Sequence, residues 1–291
     1  MNEDFAGWVG KQEVAIDRLD ATRSNALRAA LGHGEPLRDG DEMPVLHHWL
    51  HFWNVVPPAG LGMDGHPAKG GFLPPVPLPR RMWAGGRLEF VAPLRLGETV
   101  TRTSTILSVT PKSGKSGHLV FVTVQHEVAG EHGVAVVEEQ DLVYREAATA
   151  MLPAPGAEGA VPDTVWHQTL DPNAVLLFRY SALTMNGHRI HYDRPYAMHE
   201  ECYPALVVHG PLQATLLADL AVRKAGVLRT LSFRGQTPAF DVAPLHICGE
   251  PAEGSAELWT EQGGVKRMIA NAVWTTSRAG TIQGIGFSSG S

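Results

Sequence analysis

The stretch FRYSALTMNGHRIHYD (residues 178–193), followed by VVHG at residues 207–210, is the most informative part of this chain. Its polar and titratable side chains stand between an apolar lead-in and an apolar helical pattern, which packing alone does not require. His191 is a natural proton carrier at neutral pH, and Asn186 is close enough in sequence to share one loop with it. Gly210 opens a helix-like segment, whose first free amides favour developing negative charge. Together these features favour the reversible addition of water to a conjugated thioester.

The same stretch resembles the hydratase motif of MaoC-like enoyl-thioester hydratases, roughly Gly-Asp-x-Asn-Pro-Ile-His-x-Asp, with a later His-Gly at the start of the central helix. When the motif is aligned on His191, Ile190 and Asp193 match it directly, and His209 and Gly210 match the later pair.

The chain departs from this motif at three positions. His188 stands where the motif has Asn, Arg189 where it has Pro, and Asn186 where it has the catalytic Asp, which matters because Asn cannot titrate. The variant Asn-x-His-Arg-Ile-His-Tyr-Asp is similar to a narrower branch of double-hotdog hydratases. This branch includes mitochondrial 3-hydroxyacyl-thioester dehydratases and the mesaconyl-C4-CoA (3-methylfumaryl-CoA) and itaconyl-CoA hydratases.

The resemblance implies an α+β double hotdog, in which two antiparallel sheets each wrap a long helix. Residues 1–150 would form an N-terminal hotdog-like domain, degenerate at the active site but shaping the acyl pocket. Residues 151–291 would form the catalytic MaoC-like domain. No metal or redox cofactor is expected, because the thioester itself acidifies Cα; coenzyme A enters only as part of the substrate.

The hydrophobic pattern agrees with two halves. A run rich in Ala, Pro and Gly at 147–163 separates them. Before it, strands are predicted at 87–91, 100–109, 119–128 and 134–145. After it, a helix is predicted over 207–224, followed by strands at 228–235, 245–249, 255–261 and 265–276, with a hairpin turn at Gly263-Gly264. A long apolar helix followed by antiparallel strands is typical of an α+β fold.

The first half has its own predicted helix, over residues 43–54. The Gly/Pro-rich stretch 56–79 that follows is too long for an ordinary connector, and such loops inside compact domains are usually functional or disordered. We expect a functional loop, because Arg80 and Arg81 close it beside Trp83. Either arginine could bind the carboxylate of a C5-dicarboxylyl substrate or the phosphates of coenzyme A, although surface charges and a core tryptophan explain the same residues.

Three residues are predicted to be catalytic. His191 would take a proton from water as the oxygen attacks Cβ and return it at Cα. Asn186 would orient the water or the substrate hydroxyl, unless it serves only as a turn residue. The Gly210 amide would donate to the thioester carbonyl, whose enolate forms on hydration, with glycine allowing close approach of the acyl group.

Two neighbours of the motif are candidate substrate-binding residues. His188 could be a second acid or base, a ligand for a substrate carboxylate, or a loop histidine bound to the backbone. Arg189 could pair with a phosphate or with Asp193, or it could be a solvated surface arginine. Asp193 is best interpreted as an N-cap of the helix that follows.

Composition excludes several classes of protein. The formal net charge of -6, with scattered basic residues, argues against a nucleic-acid partner. Two cysteines cannot make a disulfide framework, and no signal-like or transmembrane run is present, so a cytoplasmic protein without a membrane partner is expected. His47 and His51 share a face of the first predicted helix without an HExxH pattern, so packing is favoured over zinc.

Two alternatives remain open. A thioesterase on the same fold would attack the carbonyl carbon, and it usually needs a carboxylate near the helix start, which this chain lacks around Gly210. A noncatalytic hotdog subunit that binds acyl thioesters is suggested by Asn186 in place of Asp. A homodimer is also possible, because hotdog sheets tend to pair.

Overall fold

The structure, a computed structural model, describes residues 5–114, 117–156 and 162–275. In these residues ten strands form one antiparallel sheet in the order β1-β3-β4-β5-β2-β7-β10-β9-β8-β6. The strands of the first half are β1 (Gln12–Arg18), β2 (Arg80–Phe90), β3 (Thr99–Gly114), β4 (Gly117–Gly130) and β5 (Gly133–Arg145). Those of the second half are β6 (Trp166–Leu170), β7 (Leu228–Gly235), β8 (Leu245–Ala252), β9 (Ser255–Gln262) and β10 (Val265–Trp274).

The sheet order repeats itself on the two sides of the β2–β7 pair. Each half contributes five neighbouring strands, and β2 pairs with β7 from Gly85↔Arg234 to Glu89↔Thr230. The predicted α+β double hotdog is therefore confirmed, with two differences. The two sheets join edge to edge into one, and among the described residues only the second half has a long helix against its sheet. The division at residue 150 falls between β5 and β6, and the independence of the two domains stays a prediction.

The strands form where the sequence alternates. In β4, Val120, Val122 and Val124 are almost completely buried while the residues between them are partly exposed, so one face of the sheet carries the core. The predicted turn at Gly263 and Gly264 is present, with φ of 61° and 74°, the left-handed values that a two-residue hairpin turn needs.

Within the described ranges, four α-helices accompany the sheet: α1 (Ala21–Ala30), α2 (Ala174–Thr184), α3 (Arg194–His199) and α4 (Gly210–Ala225). The longest, α4, lies on the second half of the sheet, against β7 to β10. Its apolar side chains Leu212, Leu216, Leu217 and Leu220 are all buried. The predicted helix is thus confirmed, although it begins at Gly210 and the preceding residues are extended.

The helix predicted over residues 43–54 is wrong. Only a 3-10 turn, His47–Leu50, forms there, because Leu46 and Phe52 adopt left-handed φ values of 68° and 58° that an α-helix excludes. The Phe52 conformation is held by tertiary contact, since its amide donates to Asp17 Oδ2 at 2.9 Å. The helix of the first half is instead α1, whose N-cap Asp20 accepts a hydrogen bond from the Thr22 amide.

The described residues of the first half contain no long helix, and the loop of residues 56–79 covers their sheet instead. Val76 and Leu78 of this loop are buried against Val120, Val122 and Tyr144. Beside this loop, a cavity remains between the first-half sheet and the second-half helices. No helix among the described residues is long and apolar enough to cross a membrane.

Candidate active site

A cavity of about 610 Å³ separates the first-half sheet from the loop that carries the motif. Among its lining residues are His66 from the 56–79 loop, Arg81 and Trp83 from β2, Asn186 and Gly187 from the motif, and Pro211 from α4. A larger groove of about 960 Å³ lies on the opposite face of the sheet, and none of the motif residues line it. The smaller cavity is therefore the candidate active site.

Asn186 lies at the cavity wall and also shapes the motif loop. Helix α2 ends at Thr184, and the next residue, Met185, has a φ of 51° that turns the chain into the loop. The Asn186 side-chain oxygen then accepts a hydrogen bond from the His188 amide at 3.0 Å. Asn186 thus makes the predicted turn, while among the described residues no acceptor binds its Nδ2 group, which stays available to a water or a substrate oxygen.

His191 lies in the buried layer directly behind this loop, and it is not itself among the cavity-lining residues. Its Nδ1 is 2.7 Å from the Val207 carbonyl oxygen. Since a carbonyl only accepts, Nδ1 carries the hydrogen and Nε2 keeps its lone pair. Burial lowers the pKa of His191 to about 4, and the hydrogen bond to Val207 only partly offsets this effect. The imidazole is therefore neutral at pH 7 and able to accept a proton at Nε2.

His209, the residue before α4, packs against His191. The His209 ring stacks on the His191 ring with centroids 3.6 Å apart, and His209 Nε2 lies 2.8 Å from Ser181 Oγ. The Gly210 amide that follows has no acceptor among the residues described. A Cβ at Gly210 would meet only Met268 Cε, at 3.8 Å. An open first-turn amide beside the histidine layer is the geometry that an oxyanion donor needs.

His188 and Arg189 occupy different environments. The His188 side chain is buried, its ring lies 5.6 Å from that of His191, and burial together with the neighbouring histidines lowers its pKa to about 2. Arg189 pairs with Asp193 at 2.7 Å and donates to the Met63 carbonyl at 3.1 Å. Its guanidinium thus holds the loops together instead of facing the cavity. Asp193 caps α3 as predicted, accepting from the Tyr196 amide.

Strand alternation separates the two predicted arginines. Arg80 is buried on one side of β2, where its Nε lies 2.6 Å from Glu201 Oε2 and its guanidinium lies over the Tyr203 ring. Arg81 points to the other side and lines the cavity, as does Trp83. None of the ion pairs among the described residues involves Arg81. The indole Nε1 of Trp83 is buried without a hydrogen-bond partner in the same set.

Sequence reasoning missed two residues of the site, Asp64 and His66. His66 lines the cavity, and its ring lies 4.2 Å from that of His188. Asp64 Oδ2 lies 3.1 Å from His66 Nδ1, and Asp64 Oδ1 accepts from the His66 amide at 3.0 Å. The only signal in the sequence was an Asp-x-His pair inside a loop too long to be a connector.

Asp64, His66 and His188 also form the one group in the described part of the chain whose ligand atoms are close enough to share an ion, all within 4.8 Å. The hydrogen bond between Asp64 and His66 already explains why these atoms are close. A second polar cluster lies deeper, where the carboxylate of Glu138 is bound by His48 Nε2 at 3.0 Å and by Trp49 Nε1. Burial opposes the charge of Glu138, but these hydrogen bonds lower its pKa to about 2.

Solved structures share this architecture. HtdX from Mycobacterium tuberculosis aligns with a TM-score of 0.63 at 17% identity, over 89% of this chain and 99% of its own. A conserved hypothetical protein from the same organism, described as having a double hotdog fold, aligns with a TM-score of 0.50 at 13% identity, over 91% and 96%. These similarities and the order of the strands define a double-hotdog protein.

Sequence comparison identifies the family. The family model for hydroxyacyl-thioester dehydratase type 2 matches residues 46–241. Mesaconyl-C4-CoA hydratase from Chloroflexus aurantiacus is 45% identical over 85% of this chain and 89% of its own. The mitochondrial hydroxyacyl-thioester dehydratase type 2 of Schizosaccharomyces pombe is 28% identical over 86% and 90%. The chain belongs to the hydroxyacyl-thioester dehydratase type 2 family, and it is an enzyme of the hydro-lyase class.

Proposed function

We propose that the enzyme catalyses the reversible hydration of an α,β-unsaturated acyl-CoA to a 3-hydroxyacyl-CoA, with a C5-dicarboxylyl group such as mesaconyl-C4 or itaconyl as the acyl part. The observation that carries the proposal is the cavity, which brings His66, Arg81 and Asn186 together beside Pro211 at the start of α4. None of the ion pairs among the described residues neutralises Arg81. The 45% identity to a mesaconyl-C4-CoA hydratase supports the choice of acyl group.

The motif supplies three parts of the reaction. His191 binds the water through Nε2 and exchanges a proton with it, while Asn186 orients the water or the product hydroxyl through its side-chain amide. The Gly210 amide donates to the thioester oxygen, on which negative charge grows as the enolate forms. The thioester itself acidifies Cα, so we propose that no metal or redox cofactor takes part.

Arg81 and Trp83 are the proposed carboxylate-binding pair. In mesaconyl-C4-CoA the free carboxylate is attached to Cβ, the carbon that water attacks, so its receptor must lie next to the proton-transfer groups. Arg81 is suited to this role, since it lines the same cavity as His66 and Asn186. The unpaired Nε1 hydrogen of Trp83 offers a second donor. Arg80, bound to Glu201, has a structural role in this scheme.

The compartment and the assembly are proposals as well. Cys202 and Cys248 are both free, which supports a reducing environment such as the cytoplasm. The proposed small-molecule partner is the acyl-CoA substrate. A homodimer is compatible with the exposed outer face of the sheet.

The test is an assay of enoyl-thioester absorbance with mesaconyl-C4-CoA, itaconyl-CoA and crotonyl-CoA, on the wild type and on His191→Ala, Arg81→Gln and Arg80→Gln. We expect the wild type to prefer a dicarboxylyl substrate, and His191→Ala to lose at least about 100-fold in kcat with folding intact. Arg81→Gln should raise KM for the dicarboxylyl substrates and leave crotonyl-CoA nearly unaffected.

The other outcomes separate the alternatives. Preference for crotonyl-CoA would support the hydration reaction and contradict the binding of a substrate carboxylate by Arg81 and Trp83. Release of free thiol from an acyl-CoA would identify a thioesterase. Binding of thioesters without turnover, together with co-purification of an active partner, would identify a noncatalytic subunit.

A further inference from the structure

We propose that His66, oriented by Asp64, is a second catalytic acid–base residue of this site and replaces the carboxylate that the hydratase motif has at the position of Asn186. The inference rests on the proposed hydration reaction and refines the role of His191 in it. Asp64 and His66 belong to the first half of the chain, whereas the motif lies in the second half.

The Asp64–His66 contact fixes which ring nitrogen of His66 can act. Burial opposes ionisation of Asp64, but the hydrogen bonds from the His66 side chain and backbone keep the pKa of the carboxyl below its usual value. An ionised carboxylate only accepts, so His66 Nδ1 must carry the hydrogen of the 3.1 Å contact. Nε2 of His66 is left with a lone pair.

The loop that carries this pair is bound directly to the motif. The Arg189 amide donates to the Asp64 carbonyl at 2.9 Å, and the Arg189 guanidinium donates to the Met63 carbonyl. Gly65 and Gly187 approach so closely that a Cβ on Gly65 would lie 2.0 Å from the Gly187 oxygen. The position of His66 is therefore set by the same loop that positions Asn186 and His188.

The two histidines differ in how well they could hold a proton. His191 is buried, and its Nδ1 contacts the Val207 carbonyl oxygen. His66 has the Asp64 carboxylate as partner, its side chain is 22% exposed, and it lines the cavity. A carboxylate stabilises an imidazolium far better than a carbonyl does, as in the Ser-His-Asp arrangement. The transferred proton is thus more stable on His66 than on His191.

In this scheme one water molecule donates one of its hydrogens to His66 Nε2 and the other to His191 Nε2. In the hydration direction the water oxygen forms its bond to Cβ, and the O–H bond that faces His66 breaks, placing that proton on His66 Nε2. The π electrons of the Cα=Cβ bond move into the thioester as an enolate, stabilised by the Gly210 amide. The His66 imidazolium then gives the same proton to Cα and becomes neutral again. The second hydrogen stays on the product hydroxyl, hydrogen-bonded to His191.

The test measures kcat and KM of His66→Ala, Asp64→Asn and Met63→Ala with whichever of mesaconyl-C4-CoA, itaconyl-CoA and crotonyl-CoA the wild type hydrates fastest. We expect His66→Ala to lose about 100-fold or more in kcat with KM changed by less than a few-fold. Met63→Ala is the matched control, because the Met63 side chain is 85% exposed in the same loop and only its carbonyl binds Arg189. It should behave as the wild type, and circular dichroism should show all variants folded.

Asp64 acts as a positioning residue, and the pH dependence of kcat/KM tests this role. The charged and titratable groups that interact with His66 are Asp64, His188, His191, Arg81 and Glu201. Asp64 raises the pKa of His66 against the effect of burial. Asp64→Asn should therefore lower the plateau of kcat/KM about 10-fold or more and move its acid limb to lower pH. A purely structural aspartate would leave the limb where it is.

Normal turnover in folded His66→Ala would overturn the assignment and leave the hydration reaction in place. An unshifted acid limb in Asp64→Asn would overturn the role of Asp64. If the wild type hydrates none of the three thioesters, the proposed function fails, and this inference fails with it.

Discussion

At the scale of single residues, Asn186 is the position where this chain departs most from the hydratase motif. Its side-chain oxygen binds the His188 amide, and its Nδ2 group is available to the reactants. We expect Asn186→Ala to lose about 10- to 100-fold in kcat, because both contributions vanish. Asn186→Asp keeps the acceptor of the turn and replaces the N–H donor by a carboxylate oxygen. Steady-state kinetics of the two variants therefore separate the turn from the donor.

If the amide donates to the water or the substrate, both Asn186 variants should be impaired. If the residue only shapes the turn, Asn186→Asp should retain wild-type kcat while Asn186→Ala should not. Wild-type turnover in Asn186→Ala would contradict any role for this side chain in the reaction.

At this scale the sequence indicates some residues of the candidate site but not others. His191 and Gly210 could be predicted because a local pattern, read over about 25 positions, contains both. The choice between Arg80 and Arg81 required the strand register, since adjacent residues of a strand face opposite sides of the sheet. His66 could not be predicted, because it meets His188 only through folding across more than a hundred residues.

At the scale of elements, the contact between the 56–79 loop and the motif loop depends on Gly65. Its φ of +86° suits glycine, and a Cβ there would lie 2.0 Å from the Gly187 oxygen. We expect Gly65→Ala to push the loop away from the motif and to reduce kcat at least 10-fold. The matched control is Gly10→Ala, where φ is +82° and nothing lies within 4 Å of the added Cβ.

The comparison isolates the clash, because both variants carry the same left-handed strain of roughly 1–2 kcal/mol. Gly10→Ala should lower the melting temperature slightly and leave kcat unchanged. Equal kinetics in the two variants would show that docking of the loop does not matter for turnover.

Element prediction failed in one place for a physical reason. The 43–54 segment has apolar residues at helical spacing, yet its His and Trp residues have modest helix propensity. Tertiary contacts then decide the conformation, as the bond from the Phe52 amide to Asp17 shows. The true helix, α1, is short and weakly amphipathic, with an ordinary Asp20 cap that periodicity alone did not reveal.

At the scale of the whole molecule, the repeated order of predicted elements was enough to indicate two hotdog halves. The edge-to-edge joining of their sheets could not be predicted from the sequence, because β2 and β7 are separated by more than a hundred residues. Gly85 and Gly86 mark the junction. A Cβ on Gly85 would lie 2.5 Å from the Phe233 oxygen, so the backbones of the two halves meet there without intervening side chains.

The whole fold also buries an unusual set of neutral histidines, and this predicts acid lability. Burial lowers the pKa of His47 to about 3, of His51, His126 and His191 to about 4, and of His188 to about 2. In the unfolded chain a histidine has a pKa of about 6.5. Between that pH and the folded pKa the unfolded state binds a proton that the folded state refuses, so stability is complete above pH 6.5 and is lost as the pH falls.

Each such histidine contributes a slope of up to about 1.4 kcal/mol per pH unit. Because a domain is typically stable by only about 5–15 kcal/mol, we expect the free energy of unfolding, measured with urea, to be flat from pH 8 to 7 and to fall steeply below pH 6.5. The side chain in His126→Gln cannot titrate, so this variant should reduce the slope of the unfolding free energy against pH by up to about 1.4 kcal/mol per pH unit. His132→Gln, at an exposed position in the β4–β5 turn, should leave the slope unchanged. Equal stability of the wild type at pH 7.5 and 5.5 would contradict the prediction, because it would require these histidines to stay accessible to protons in the folded state.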